Sequence, residues 1–211
     1  MPWRGNLPER IARRLAEPLP GAAAHARFAS DLCYGRHAMP PFPDARHAAV
    51  LVLLYPDRGA WHLPLILRPQ HMAIHAGQVS FPGGEAHCGE GAEQAALREF
   101  EEELGVPPDA MGLLGRLSPL YVFVSNYLVT PCVAWASSRP AFVANPAEVD
   151  QVLELPLSTL QDPGARGVHW VRREGIEYRA PHIEFRGHRI WGATAMMLAE
   201  LASVLEDAGG C

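Results

Sequence analysis

No lysine occurs in this chain: its 18 basic side chains are all arginine, set against 23 acidic ones for a formal net charge of −5. That absence excludes every mechanism needing a side-chain amine, namely a Walker A loop, a kinase-type nucleotide lysine, a Schiff base and a pyridoxal phosphate attachment. The acidic balance, with no basic run interleaved with aromatics, excludes a nucleic-acid-coating surface, so bulk nucleic acid is not an expected partner. Cysteine is scarce and scattered, at Cys33, Cys88, Cys132 and Cys211. With no CxxC pair, free thiols are expected rather than zinc sites or a disulfide framework. HExxH and GxSxG are also missing. No stretch approaches about 18 consecutive apolar residues, so no membrane span is expected. Residues 1–19 lack the apolar core of a signal peptide, and the cytoplasm is the expected compartment.

What is present suffices for one substantial core: 211 residues, 48% of them hydrophobic. Proline and glycine punctuate the chain. Residues 1–46 read as an N-terminal helix, with Pro8 placed for a start after Asn6, followed by a Pro-rich extension. Residues 47–211 read as the main domain. Residues 48–55 and 61–68 predict paired strands joined at Pro56-Asp57-Arg58-Gly59. Further strands are predicted at 112–117, 128–135, 152–155 and 167–172, with 177–185 as a hairpin partner. A last helix is predicted over 191–205, its Ala195, Leu198, Leu201 and Leu205 forming an apolar stripe. The fold class is α/β in the broad α+β sense.

The densest chemistry lies in residues 84–106, GEAHCGEGAEQAALREFEEELGV. Glu99, Glu101, Glu102 and Glu103 crowd the last turns of a predicted helix that Gly105 ends. Acidic side chains there meet the negative end of the macrodipole, each at a cost of up to about 1 kcal/mol. Glu99, Glu102 and Glu103 are spaced i, i+3, i+4 and share one face. Ala96, Leu97, Phe100 and Leu104 mark the other side, which would be buried. Arg98 is the only cation in the segment, so the acids read either as a solvated charged face or as ligands of a hard divalent ion such as Mg²⁺. Pro82-Gly83-Gly84 upstream is a turn whose glycines allow close backbone approach.

Gly84, Glu90, Arg98, Glu99, Phe100, Glu102, Glu103, Gly105 and Val106 fill every fixed or apolar position of G-x5-E-x7-R-E-U-x-E-E-x-G-U, where U is bulky and apolar. The segment thus resembles the Nudix box. The resemblance implies an α/β/α sandwich around a mixed β-sheet and Mg²⁺- or Mn²⁺-dependent hydrolysis of a nucleoside diphosphate linked to another group. It implies Glu99, Glu102 and Glu103 as metal-binding carboxylates, with the Gly84 carbonyl as a backbone ligand. Arg98 and Glu90 then support the acids from behind. The general base stays open among these glutamates and a later acid, Glu148, which reads equally as a surface residue.

Upstream, Leu65, Arg68, Gly77, Phe81, Pro82, Gly83 and Gly84 stand in register with L-L-T-x-R-[SA]-x3-R-x3-G-x3-F-P-G-G, and His75 and Gln78 are also in keeping with it. This resembles the coenzyme A pyrophosphatase branch. The implied substrate is coenzyme A or an acyl derivative, with Arg68, His75 and Gln78 as substrate-binding candidates. Ile66, Pro69 and Ala73 depart from the pattern, and alanine cannot replace an arginine's pairing with phosphate. The segment IWGATAMML resembles IWGATARIL, with Met196 in place of an arginine. Trp191, Gly192 and Thr194 read as a cap and packing signature opening the last helix. Two alternatives remain: the same chemistry on ADP-ribose or (deoxy)nucleoside triphosphates, and a non-catalytic ligand-sensing module. A small nucleotide-type molecule is the expected partner, and a homodimer is an admissible assembly.

Overall fold

The structure, a computed structural model, describes residues 6–33, 39–72, 75–173 and 175–209. Its centre is the apolar run of β1 (Arg46–Asp57). A strand's successive side chains point to opposite faces, so a continuous apolar run serves two cores at once. Val52 and Leu54 enter one cluster, and Leu51, Leu53 and Tyr55 the other. Strand β2 (Ala60–Leu67) returns antiparallel through a tight turn in which Arg58 and Gly59 both take positive φ.

Short strands β3 (Val79–Ser80) and β4 (Gly83–Glu85) add to β2 and β1 respectively. On the other flank of β1 lies β7 (Tyr127–Trp135), parallel in register from Arg46↔Tyr127 to Leu54↔Trp135. β5 (Gly112–Arg116), β6 (Leu120–Val122) and β8 (Gln151–Pro156) complete an eight-stranded sheet by antiparallel pairing. The sheet is therefore mixed. Helix α3 (Ala92–Leu104) covers one face through Ala96, Phe100 and Leu104. Helices α1 (Leu7–Leu15) and α4 (Gly192–Gly209) cover the other. This is the α/β/α sandwich expected.

A separate three-stranded antiparallel sheet, β9 (Arg166–Arg173), β10 (Ile176–Phe185) and β11 (His188–Trp191), precedes α4. It corrects the predicted last helix. Trp191 pairs with His182 in the β10–β11 ladder, and Gly192 turns the corner at φ +64°, so the helix begins after the tryptophan and runs on to Gly209. Among the described residues no helix is long and apolar enough to cross a membrane.

The N-terminal segment is tied to this core by a buried polar lock. His25, the last residue of α2 (Ala22–His25), places Nε2 3.1 Å from Oε2 of Glu200 on α4. The backbone N–H groups of Gly21 and Ser118 donate to the same carboxylate at 3.0 and 3.1 Å. Burial pushes the Glu200 carboxyl up, but the bonds from His25, Ser118 and Gly21 outweigh it and hold the group below its usual range. A depressed folded pKa contributes stability above the unfolded value and loses it as pH falls. Removing one partner of a buried pair typically costs about 3–5 kcal/mol. His25→Ala is therefore expected to lower unfolding free energy by about 3 kcal/mol in urea at pH 7, with the penalty shrinking below about pH 4. An unchanged urea midpoint at neutral pH would sink the lock.

Candidate active site

Helix α3 is built to end where it does. At its start the Gln94 side chain accepts the Gly91 N–H at 2.9 Å. At its end Gly105 adopts the left-handed conformation, φ +66°, and its N–H bonds the Glu101 carbonyl. Two more terminal carbonyls, of Leu104 and Glu103, accept the backbone N–H groups of Val143 and Asn145 at 2.8 and 2.9 Å. These bonds bring a turn of distant sequence onto the helix end, and with it Glu148, whose carboxylate accepts from Asn145 Nδ2 at 3.2 Å.

The acids on the shared face are not equivalent. Glu102 is about half exposed and Glu103 is 1% exposed. Glu103 Oε2 accepts the Gly83 N–H at 2.9 Å, and its other oxygen lies 3.9 Å from an Arg68 guanidinium nitrogen. Burial dominates these contacts and, with Glu99 and Glu148 adding like charge, pushes the Glu103 carboxyl up to about 8. The Glu99 carboxylate lies against the backbone of Gly84: a Cβ there would overlap it, with Cδ at 2.5 Å. Gly83 is as tightly placed, at φ +148° with Val50 Cα 2.6 Å from where a Cβ would stand. The adjacent glycines are therefore a steric requirement of the site.

Arg98 organises what remains. Its Nε and Nη2 grip Glu90 at 2.9 and 3.0 Å, Nη1 donates to Glu99 at 2.7 Å and to Glu102 at 3.3 Å, and Nη2 also bonds the Glu85 carbonyl at 3.1 Å. The arginine and a backbone bond from His87 bring the Glu90 carboxyl down to about 2. Among the described residues no three His, Cys, Asp or Glu side chains already stand as a metal cage. The donor set nevertheless fits a hard divalent ion. It is all oxygen, it includes a buried carboxylate with little compensating charge, and its glycine cradle presses one acid against the backbone. Glu99 and Glu102 would divide themselves between Arg98 and the ion.

A cavity of about 420 Å³ adjoins the acids. Gly83, Gly84 and Glu85 line it, as do Arg68, His75 and Gln78. His75 Nδ1 and Gln78 Oε1 are 2.8 Å apart. Ser80 was not among the sequence-derived candidates. Its Oγ and Arg68 Nε, on two residues that line this cavity, are buried with no hydrogen-bond partner among the described residues. A lone serine beside an aromatic carries no sequence signal for such a role. Trp191, Gly192, Thr194 and Met196 also line the cavity. Thr194, in the first turn of α4, has the packing role expected: its hydroxyl donates to the Val79 carbonyl at 3.1 Å, fastening α4 to β3. Ala73 lies outside the described residues.

The NUDIX domain family model matches residues 45–188, more than half of the chain. The chain belongs to the Nudix hydrolase family. This Nudix hydrolase is 35% identical over 184 residues to an uncharacterized Nudix hydrolase named NudL from Photorhabdus laumondii, a match covering 80% of this chain and 92% of that one. The NudL of Yersinia pestis strain Pestoides F is 35% identical over 156 residues, 69% of this chain and 78% of its own. Among solved structures, the MutT protein of Methanosarcina mazei Go1 shares the fold with a TM-score of 0.50 at 14% identity, covering 75% of this chain and 92% of that one. Members of the family are pyrophosphohydrolases of small nucleotide-type substrates and work with divalent metal ions.

Glu103 supplies a test that needs no substrate. A carboxyl raised in the folded state stabilises below its unfolded pKa and loses that contribution as pH rises towards the folded value. In chelator, the wild type should therefore lose stability relative to Glu103→Gln between pH 5 and 8.5. The upper bound is on the order of 5 kcal/mol, corresponding to a shift from 4.5 to about 8. Parallel pH profiles in urea unfolding would overturn the buried-acid assignment.

Proposed function

We propose that this Nudix hydrolase is a Mg²⁺- or Mn²⁺-dependent pyrophosphohydrolase of coenzyme A or acyl-coenzyme A, releasing adenosine 3′,5′-bisphosphate and (acyl-)phosphopantetheine. The observation that carries this reading is the largely apolar cavity of about 420 Å³ that adjoins the acids through Gly83, Gly84 and Glu85. A pantetheine arm is a long, weakly polar chain joined to a pyrophosphate. Apolar walls with a few placed polar groups suit such a chain. The triphosphate or second ribose of the alternative substrates would ask that space for more charge or more hydrogen bonds. Met196, buried in the cavity wall where the branch pattern has arginine, supplies neither.

In this reading Glu99, Glu102 and Glu103, with the Gly84 carbonyl, hold the divalent ion, and Arg98 and Glu90 keep the acids aligned. When bound, such an ion supplies charge neutralisation at the phosphate oxygens and lowers the pKa of water. Hydrolysis forms a bond from water oxygen to phosphorus and breaks the P–O bond of the anhydride, leaving two phosphomonoesters. The water's proton passes to a carboxylate, for which Glu103 and its neighbour Glu148 are the candidates. Arg68, whose buried Nε has no hydrogen-bond partner among the described residues, is suited to a phosphate oxygen, and Gln78 and His75 to the polar groups beside it.

The test is hydrolysis of coenzyme A, acetyl-coenzyme A, ADP-ribose, NADH and nucleoside triphosphates with Mg²⁺ or Mn²⁺, products being resolved by chromatography. Release of adenosine 3′,5′-bisphosphate from the coenzyme A compounds is expected. Cleavage confined to the other substrates would move the assignment to them, and binding without cleavage would make the chain a ligand sensor. Glu102→Gln should cut kcat about 100-fold or more, the scale of a positioned acid–base or charge-bearing group. Arg68→Ala should raise KM more than it lowers kcat; the reverse split would remove Arg68 from substrate binding.

A further inference from the structure

The cavity beside the acids is walled by two sets of residues of different origin. One set belongs to the part of the chain matched by the family, such as Val50, Phe81 and Tyr127. The other lies outside residues 45–188: Ser30 and Leu32 from the N-terminal segment, and Trp191, Met196 and Met197 from the end of β11 and the start of α4. Tyr178 of β10, although within the matched residues, also lines the cavity and precedes Arg179, which pairs with Asp31 of the N-terminal segment. Apart from Ser30, the tip of Tyr178, the Trp191 N–H and the Thr194 hydroxyl, which is already bonded to the Val79 carbonyl, that wall offers hydrocarbon, thioether and aromatic surface. Met196, Met197 and Tyr178 are all buried.

This wall is held in place. The buried His25–Glu200 lock ties the N-terminal segment to α4, and Phe28 enters the core beside it. Beyond the lock, Asp31 pairs with Arg179 at 2.9 Å, joining the segment to the strand that carries Tyr178. Asp31 and Arg179 thus meet each other and are not among the cavity lining. The result is a preformed apolar wall that carries no charge. Such a surface favours an occupant that removes apolar area from water and penalises one that brings unpaired polar groups.

Resting on the coenzyme A reading, we infer that Ser30, Leu32 and Tyr178 together with the start of α4 form a tail-binding wall. It takes the apolar acyl group that follows the thioester, with Leu32 setting the chain length. Free coenzyme A leaves this wall unfilled. Each methylene that reaches it should raise kcat/KM about three- to fourfold, the gain from burying one CH₂. The gain ends where the cavity is full, so the series should pass through an optimum.

The experiment is a kcat/KM series over free, acetyl-, butanoyl-, hexanoyl-, octanoyl- and dodecanoyl-coenzyme A for the wild type, Leu32→Trp and Leu32→Ala. Ratios within one protein cancel any loss of folded enzyme. The wild type should show an interior optimum, Leu32→Trp should move it to shorter chains, and Leu32→Ala to longer ones. A series that is flat in the wild type, or whose optimum is the same in all three proteins, would overturn the tail wall and leave the coenzyme A assignment standing. Absence of cleavage across the whole series, with turnover of another nucleotide substrate, would overturn both.

Discussion

One guanidinium carries the acid site. Arg98 lies among Glu90, Glu99 and Glu102 and the Glu85 carbonyl, bonding each. Charge-assisted bonds of this kind are roughly twice as strong as neutral ones, and a planar guanidinium also dictates the angle between its partners. Acids gathered at the carboxyl end of a helix repel each other and the helix dipole. Arg98 turns that repulsion into a fixed arrangement and fastens α3 to β4 and to the loop before the helix.

Strand β4 is the partition between the two halves of the site. It pairs with β1 at Ala48↔Glu85, Ala49↔Gly84 and Val50↔Gly83. The Glu99 carboxylate packs against Gly84, and the same short strand lines the cavity. This strand thus stands between the acids of α3 and the cavity. Side chains larger than hydrogen at residues 83 and 84 would wedge that partition apart, which is a physical reason for two consecutive glycines.

Helix α3 is legible in the sequence, because a 3.6-residue apolar period and a glycine stop are local properties. Strands β1, β2 and β7 are legible from another local signal, short apolar runs bounded by turn residues. The last helix was misjudged by one residue at its start, since Trp191 belongs to a ladder with His182 that sits nine positions upstream. Thr194 has the packing role expected at the helix start, but its partner was not legible: the hydroxyl goes to Val79, 115 residues away, which no window of sequence contains. The common face of Glu99, Glu102 and Glu103 was correct as a spacing, yet their exposures differ because strand and loop cover Glu103 and leave Glu102 to solvent.

The amino-acid sequence by itself determined the family, the order of the main elements and the set of acids and glycines in its box, because these depend on residue type at fixed short spacing. Tertiary structure alone decided which acid is buried, that Glu148 adds like charge at Glu103, that Ser80 and Arg68 share a cavity, and that Ser30 and Leu32 help to wall it. Those outcomes follow from packing between segments far apart in the chain. Burial, desolvation and the pairing of a charge are properties of the assembled neighbourhood, and no residue carries its neighbourhood in its own identity.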